Sequence, residues 1–175
     1  MSAWVKHVLS CPGTVDEYVL GHIEDGIVSL ADHGPSEPIL VAYAPFVTNL
    51  SESWVQVNFP TKTIDPYNMV SNIGNINFGL AGYFSIRFRL LFNVPADTKV
   101  YVWFVNNSKG TLHIEMLENE GSLFRMLNKT FVLPVASGEC FKVYLHVAGG
   151  SGTRQLLNMN ENDSSVLIYL LKAGL

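Results

Sequence analysis

Tyr83-Phe-Ser-Ile-Arg-Phe-Arg-Leu-Leu-Phe92 is the stretch on which the fold turns. Phe84, Ile86, Phe88, Leu90 and Phe92 share one side, and Tyr83, Ser85, Arg87 and Arg89 share the other. A period of two marks a β-strand with one face buried. The run stops at Asn93-Val-Pro-Ala-Asp97, because Pro95 has no N–H to give to a ladder. Downstream, short apolar runs rich in β-branched and aromatic residues recur at 100–105, 111–117, 131–134, 140–147, 154–158 and 165–172. Asn, Gly, Asp and Pro separate them, starting with the turn Asn106-Asn-Ser-Lys-Gly110. In residues 111–117, Leu112, Ile114 and Met116 alternate with Thr111, His113 and Glu115. The longest helix candidate is 121–127, two turns at best. This spacing of strands and turns is that of an all-β sandwich or barrel.

Upstream of residue 83 the pattern loosens. Residues 54–59 and 39–47 read as extended, and 61–75 as a long loop. Asp25-Gly26 between apolar runs at 18–23 and 27–31 is a hairpin signal. His33-Gly-Pro-Ser-Glu-Pro38 follows as a stiff linker. The expected organisation is a hairpin arm over residues 1–38 and a sandwich domain over residues 39–175.

Composition bounds the function. The chain has 175 residues, of which 48% are hydrophobic and only 15% charged, with net charge −4. So apolar a chain is not disordered. No basic block is present, so nucleic acid is not an expected partner. No run approaches the ~20 apolar residues of a membrane span. The start lacks the apolar core of a secretion leader, so no secretion address is expected. Cys11 and Cys140 make neither a disulfide framework nor a zinc site. They could pair, but nothing in their spacing says so.

Several strands are apolar on both faces. In residues 100–105, Tyr101, Trp103 and Val105 oppose Val100, Val102 and Phe104. In 141–147 the second face carries Tyr144 and His146, and in 166–171 it carries Leu167, Tyr169 and Leu171. An antiparallel sheet with one wet face shows polar residues there. Aromatics in their place are covered by the chain's own arm or by another subunit. Tyr101, Trp103, Tyr144 and Tyr169 are the interface candidates.

Asn75-Ile-Asn-Phe-Gly-Leu-Ala-Gly-Tyr-Phe-Ser-Ile-Arg-Phe resembles the complement-globular-head and tumour-necrosis-factor-like superfamily. Gly74, Ile76, Phe78, Gly82, Tyr83 and Phe84 carry the resemblance. It continues through a strand ending in an Asn turn at 100–107, Leu133, Gly138, Glu139, 141–145 and a final strand at 164–170. It covers roughly residues 50–175. Gly138-Glu139 stands where the family has Gly-Asp, and Val166-Leu-Ile replaces its Phe-x-Gly. The resemblance implies a jelly-roll sandwich of about ten antiparallel strands that assembles as a homotrimer around an aromatic, apolar sheet.

No motif supplies a catalytic set or a cofactor site. His7, His22, His33, His113 and His146 lack metal-ligand spacing, and no Gly-x-Ser-x-Gly elbow exists. The segment 158–163 is oxygen-rich, and Glu161 and Asp163 are weak calcium candidates beside the plainer reading of a solvated loop. The loops 106–110, 149–153 and 158–163 are expected to share one exposed end, with Asn107, Lys109, Arg154 and Asn160 for recognition. The expected function is a non-enzymatic virion structural protein, homotrimeric, docking to other virion proteins through its arm and possibly meeting a host-surface glycan or protein. The alternative is a soluble lectin-like or protein-binding module, extracellular by an unusual route or cytoplasmic.

Overall fold

A computed structural model describes residues 22–24, 26–28 and 38–174, apart from 72, 120, 122, 123, 161 and 162. Most of the expected arm, including the linker at 33–37, Cys11 and two of the histidines, lies outside the described residues. So does Glu161. Strands follow in the order β1 (His22–Glu24), β2 (Gly26–Val28), β3 (Leu40–Tyr43), β4 (Val47–Asn49) and β5 (Val55–Gln56). Next come β6 (Thr61–Ile64), β7 (Ile76–Asn77), β8 (Gly82–Asn93), β9 (Thr98–Asn106) and β10 (Gly110–Asn119). The last are β11 (Phe124–Val135), β12 (Cys140–Ala148), β13 (Gln155–Leu157) and β14 (Ser165–Ala173).

The alternating strand β8 is the axis of a seven-stranded sheet. Along its whole length β11 pairs with it, from Val135↔Gly82 to Phe124↔Asn93. On its other edge lie β14 and, at the Asn93 end, β13. Outward from β14 come β3 and then β6, and β4 pairs β13. The five-stranded sheet has the order β10-β9-β12-β5, with β7 also on β12. Every ladder between strands among the described residues is antiparallel, so the architecture is the jelly-roll sandwich expected from the sequence.

The two sheets bury the predicted side of β8 against β9 and β12. Phe84, Ile86, Phe88, Leu90 and Phe92 meet Val102, Phe104, Phe141, Val143 and Leu145, all essentially inaccessible to water. Phe78 stands edge-on to Phe84 at 4.8 Å, and Phe88 packs on Phe104 at 5.1 Å. Burying each such side chain contributes about 1.5–3 kcal/mol, which is why the alternation in β8 dominates the fold.

The structure departs from the sequence reading in three places. First, β10 is inverted: Ile114 and Met116 lie opposite Trp103 and Tyr101 and are 54% and 46% exposed. Its polar side, His113 and Glu115, lies opposite buried Phe104 and Val102. A register shift between Thr111 and His113 sets this parity. An edge strand tolerates it because Lys129 of β11 reaches Glu115 at 3.1 Å. Second, the helix candidate at 121–127 runs into β11, which pairs with β8 in register over all twelve residues. Third, the loop at 61–75 contains β6, which pairs β3. Among the described residues β1 and β2 pair antiparallel, with Glu24↔Gly26 and His22↔Val28.

Candidate functional site

At the Asn93 end of β8, strands β4 and β13 pair with Asn49 opposite Gln155. Just beyond their ends an open cleft of about 610 Å³ lies between residues 49–52 and 152–155. Asn49, Ser51, Glu52, Thr153, Arg154 and Gln155 supply its polar lining. The Arg154 guanidinium reaches Glu52 Oε1 through Nη1 at 3.3 Å and donates through Nη2 to the Gly150 carbonyl. Its Nε is buried and unpaired among the described residues. Arg154 is 18% exposed and Glu52 71%, so the cation is held in the wall while the anion stands at the rim. Gln155 Nε2 donates to Asn49 Oδ1 at 3.2 Å, and Leu50 N donates to Arg154 O at 2.8 Å.

The carbonyl that fixes Arg154 depends on glycine. Gly150 has φ +63°, and a Cβ there would stand 2.2 Å from Thr98 Oγ1. No side chain fits, so the loop's path is set by its sequence. Of the recognition candidates the sequence offers, Arg154 lines this cleft; its neighbours Asn49, Glu52 and Gln155 carry no such signal in the sequence. They lie about a hundred residues apart in pairs, and only the register of β4 on β13 joins them.

Asn160 lies in the β13–β14 connection, with β13 and β14 both laid along the Arg89–Asn93 part of β8. Its N and Nδ2 donate to Asp163 Oδ2 at 2.9 and 3.3 Å. The Asp163 carboxylate is thus already engaged, and no group of three His, Cys, Asp or Glu able to hold a metal occurs among the described residues.

Asn107 and Lys109 are at the opposite end, which corrects the expectation of one shared loop cluster. β9 and β12 run antiparallel, with Asn106 opposite Phe141 and Lys99 opposite Ala148. The 106–110 turn and the 149–153 loop are therefore separated by the nine residues of β9, roughly 30 Å at ~3.3 Å per residue. Both side chains are spent on the fold. Asn107 Oδ1 accepts from Cys140 N at 2.6 Å, and Lys109 Nζ lies 3.4 Å from buried Glu139. Asn106 Nδ2 donates to the same Glu139 at 2.8 Å. Cys140 is a free, buried thiol, and burial pushes its pKa up, with Lys142 pulling the other way. A raised pKa leaves little thiolate to act as a nucleophile.

The four interface candidates do not share a surface. Tyr101, Trp103 and Tyr144 stand on the outward face of the five-stranded sheet. Trp54 packs there on Trp103 at 5.5 Å and on His146 at 5.2 Å, and Trp103 packs on Tyr144 at 5.7 Å. Tyr169 stands on the outward face of the other sheet, under the Arg87 guanidinium at 5.4 Å.

Comparison with solved structures agrees with this architecture. The globular domain of a zebrafish complement 1qA protein superposes with TM-score 0.58 at 14% identity, over 79% of this chain and all of that one. Murine APRIL superposes with TM-score 0.55 at 13% identity, over 75% of this chain and 97% of its own. At such identities the likeness is one of fold, and it is the jelly roll that the sequence resembles. No family model and no curated protein matches the chain.

Proposed function

We propose that the chain is a non-enzymatic binding module that assembles as a homotrimer. Its seven-stranded sheet turns toward the threefold axis, and its Arg154 end points toward the ligand. The observation that carries this reading is the outward face of β3 and β14. Leu167, Tyr169 and Leu171 lie there half-buried, where a wet sheet would place polar residues, beside Val41 and Tyr43, which the chain already covers. On the opposite face Trp54 of the same chain already packs on Trp103 and His146. A closed trimer also cannot draw on two faces pointing in opposite directions, because such contacts stack copies into an open array. Any contact on the seven-stranded face must also supply acceptors for Arg87 and Arg89, both exposed.

Light scattering coupled to gel filtration tests this. The expected mass is three times 19.4 kDa. A monomer mass at micromolar concentration overturns it. The virion role rests on the sequence argument alone. It would leave the same surfaces in use and differ in what residues 1–38 attach to. In that setting, deleting them abolishes particle attachment and leaves the trimer mass, reckoned for the shorter chain, unchanged.

A further inference from the structure

We infer that the cleft between residues 49–52 and 152–155 binds an uncharged polyhydroxylated ligand, a pyranose sugar; this deepens the proposed function and rests on the Arg154 end being the one that meets ligand. The charge balance of the lining selects the ligand class. Arg154 and Glu52 stand 3.3 Å apart, so the pair is electrically neutral as seen by a small molecule. A carboxylate or phosphate approaching Arg154 meets the Glu52 carboxylate at the rim, 71% exposed. A cation approaching Glu52 meets the guanidinium. A hydroxyl group meets no such penalty, because it both donates and accepts. Two neighbouring hydroxyls can give to the carboxylate and take from the guanidinium without displacing either.

The remaining lining is neutral and mixed in the same way. The bond between Gln155 and Asn49 uses one donor and one acceptor of the two amides. It leaves an NH₂ group on Asn49 and a carbonyl on Gln155 for a ligand. Ser51 is held only at 3.3–3.4 Å by its contacts with Ser53, and Thr153 adds a second, exposed hydroxyl. The cleft, about 610 Å³ and open to solvent, suits a ligand that keeps much of its surface in water. The site is also built before the ligand arrives. The Asn49↔Gln155 ladder and the Gly150 carbonyl hold Asn49, Gln155 and Arg154 in place, which lowers the ordering left to be done on binding. Three copies on one assembly would then convert weak single-site binding into avid binding.

The test is an amide-resonance titration of the full-length protein. The probes are methyl glycosides of glucose, galactose, mannose and N-acetylglucosamine, with sialic acid and inorganic phosphate in parallel. At least one neutral glycoside is expected to shift resonances in 49–52 and 152–155. Gln155→Leu and Thr153→Val should each weaken it about tenfold, with the remaining spectrum unchanged as proof of folding. If sialic acid or phosphate binds in the cleft more tightly than every neutral glycoside, the ligand class is wrong. If no probe shifts those residues, or if both folded variants bind like wild type, the cleft is not a sugar site. Those failures leave the trimer mass untouched, whereas a monomer mass sinks the proposed function and not the titration.

Discussion

The two outward faces of the sandwich are both richer in apolar groups than a wet sheet requires, and they deal with that surplus differently. On the five-stranded face the chain covers part of the surplus itself, while Ile114 and Met116 stay exposed. Trp54 lies across Trp103 and His146, Tyr101 packs on His146 at 5.6 Å, and the Lys99–Glu118 pair at 3.0 Å stands beside Tyr101. On the seven-stranded face no such cap is seen over Tyr169 among the described residues; Arg87 sits on its ring, and the flanking residues are Leu167 and Leu171. An aromatic surplus therefore does not by itself mark a subunit contact. What matters is whether a side chain of the same molecule already occupies the face.

The strongest way to break this distinction is a charge on each face in turn. Tyr169→Asp places an unpaired carboxylate in the proposed contact, where desolvation costs several kcal/mol. The expected result is a folded monomer by light scattering. Tyr144→Asp is expected to keep the trimer and lower the stability of the subunit, because Tyr144 packs on Trp103 within one chain. If Tyr144→Asp dissociates the assembly and Tyr169→Asp does not, the two faces have been assigned the wrong way round.

Trp54→Ala sharpens the same comparison with a smaller effect. Trp54 is 46% exposed and contacts two rings. Its loss is expected to cost about 1–2 kcal/mol of stability, read as a lower urea midpoint with unchanged slope. The trimer mass should not change. A mass shift would show that Trp54 is itself at a subunit contact and caps nothing.

The strength and the limit of sequence reading both appear in these faces. The alternation in β8 was legible because a long strand with one buried side repeats every two residues, and the structure buries that side. Periodicity also told which residues of β9 and β14 share a side of their own strand. It could not tell that Tyr101 and Tyr169 belong to different sheets, since that depends on pairing across the chain. The inversion of β10 was hidden for a local reason: the register shift at Leu112 leaves no trace in the apolar pattern. In the cleft, Arg154 was legible as a planar donor in a glycine-rich loop. Its partner Glu52, 102 residues away, reaches it only through the β4–β13 ladder.

The smallest expected effect lies where the two sheets meet at their open margin. Glu115 on β10 accepts from His113 at 2.7 Å and from Lys129 on β11 at 3.1 Å, so it ties the edge of one sheet to the edge of the other. These contacts lower its pKa, the His113 hydrogen bond most and Lys129 next, against the opposing pull of burial. A carboxyl whose pKa is lower when folded favours the fold in its ionised form. That contribution is complete above the ordinary carboxylate value, about 4.3, and is lost as pH falls through the lowered value. The group is about a third exposed, so solvent screening keeps the effect below ~1 kcal/mol. Thermal midpoints of wild type and Glu115→Gln should therefore differ most near neutral pH and converge in acid. Parallel curves would mean that Glu115 contributes no acid-sensitive tie between the sheets. A loss of trimer in Glu115→Gln near neutral pH would mean that this margin, and not the seven-stranded face alone, belongs to the subunit contact.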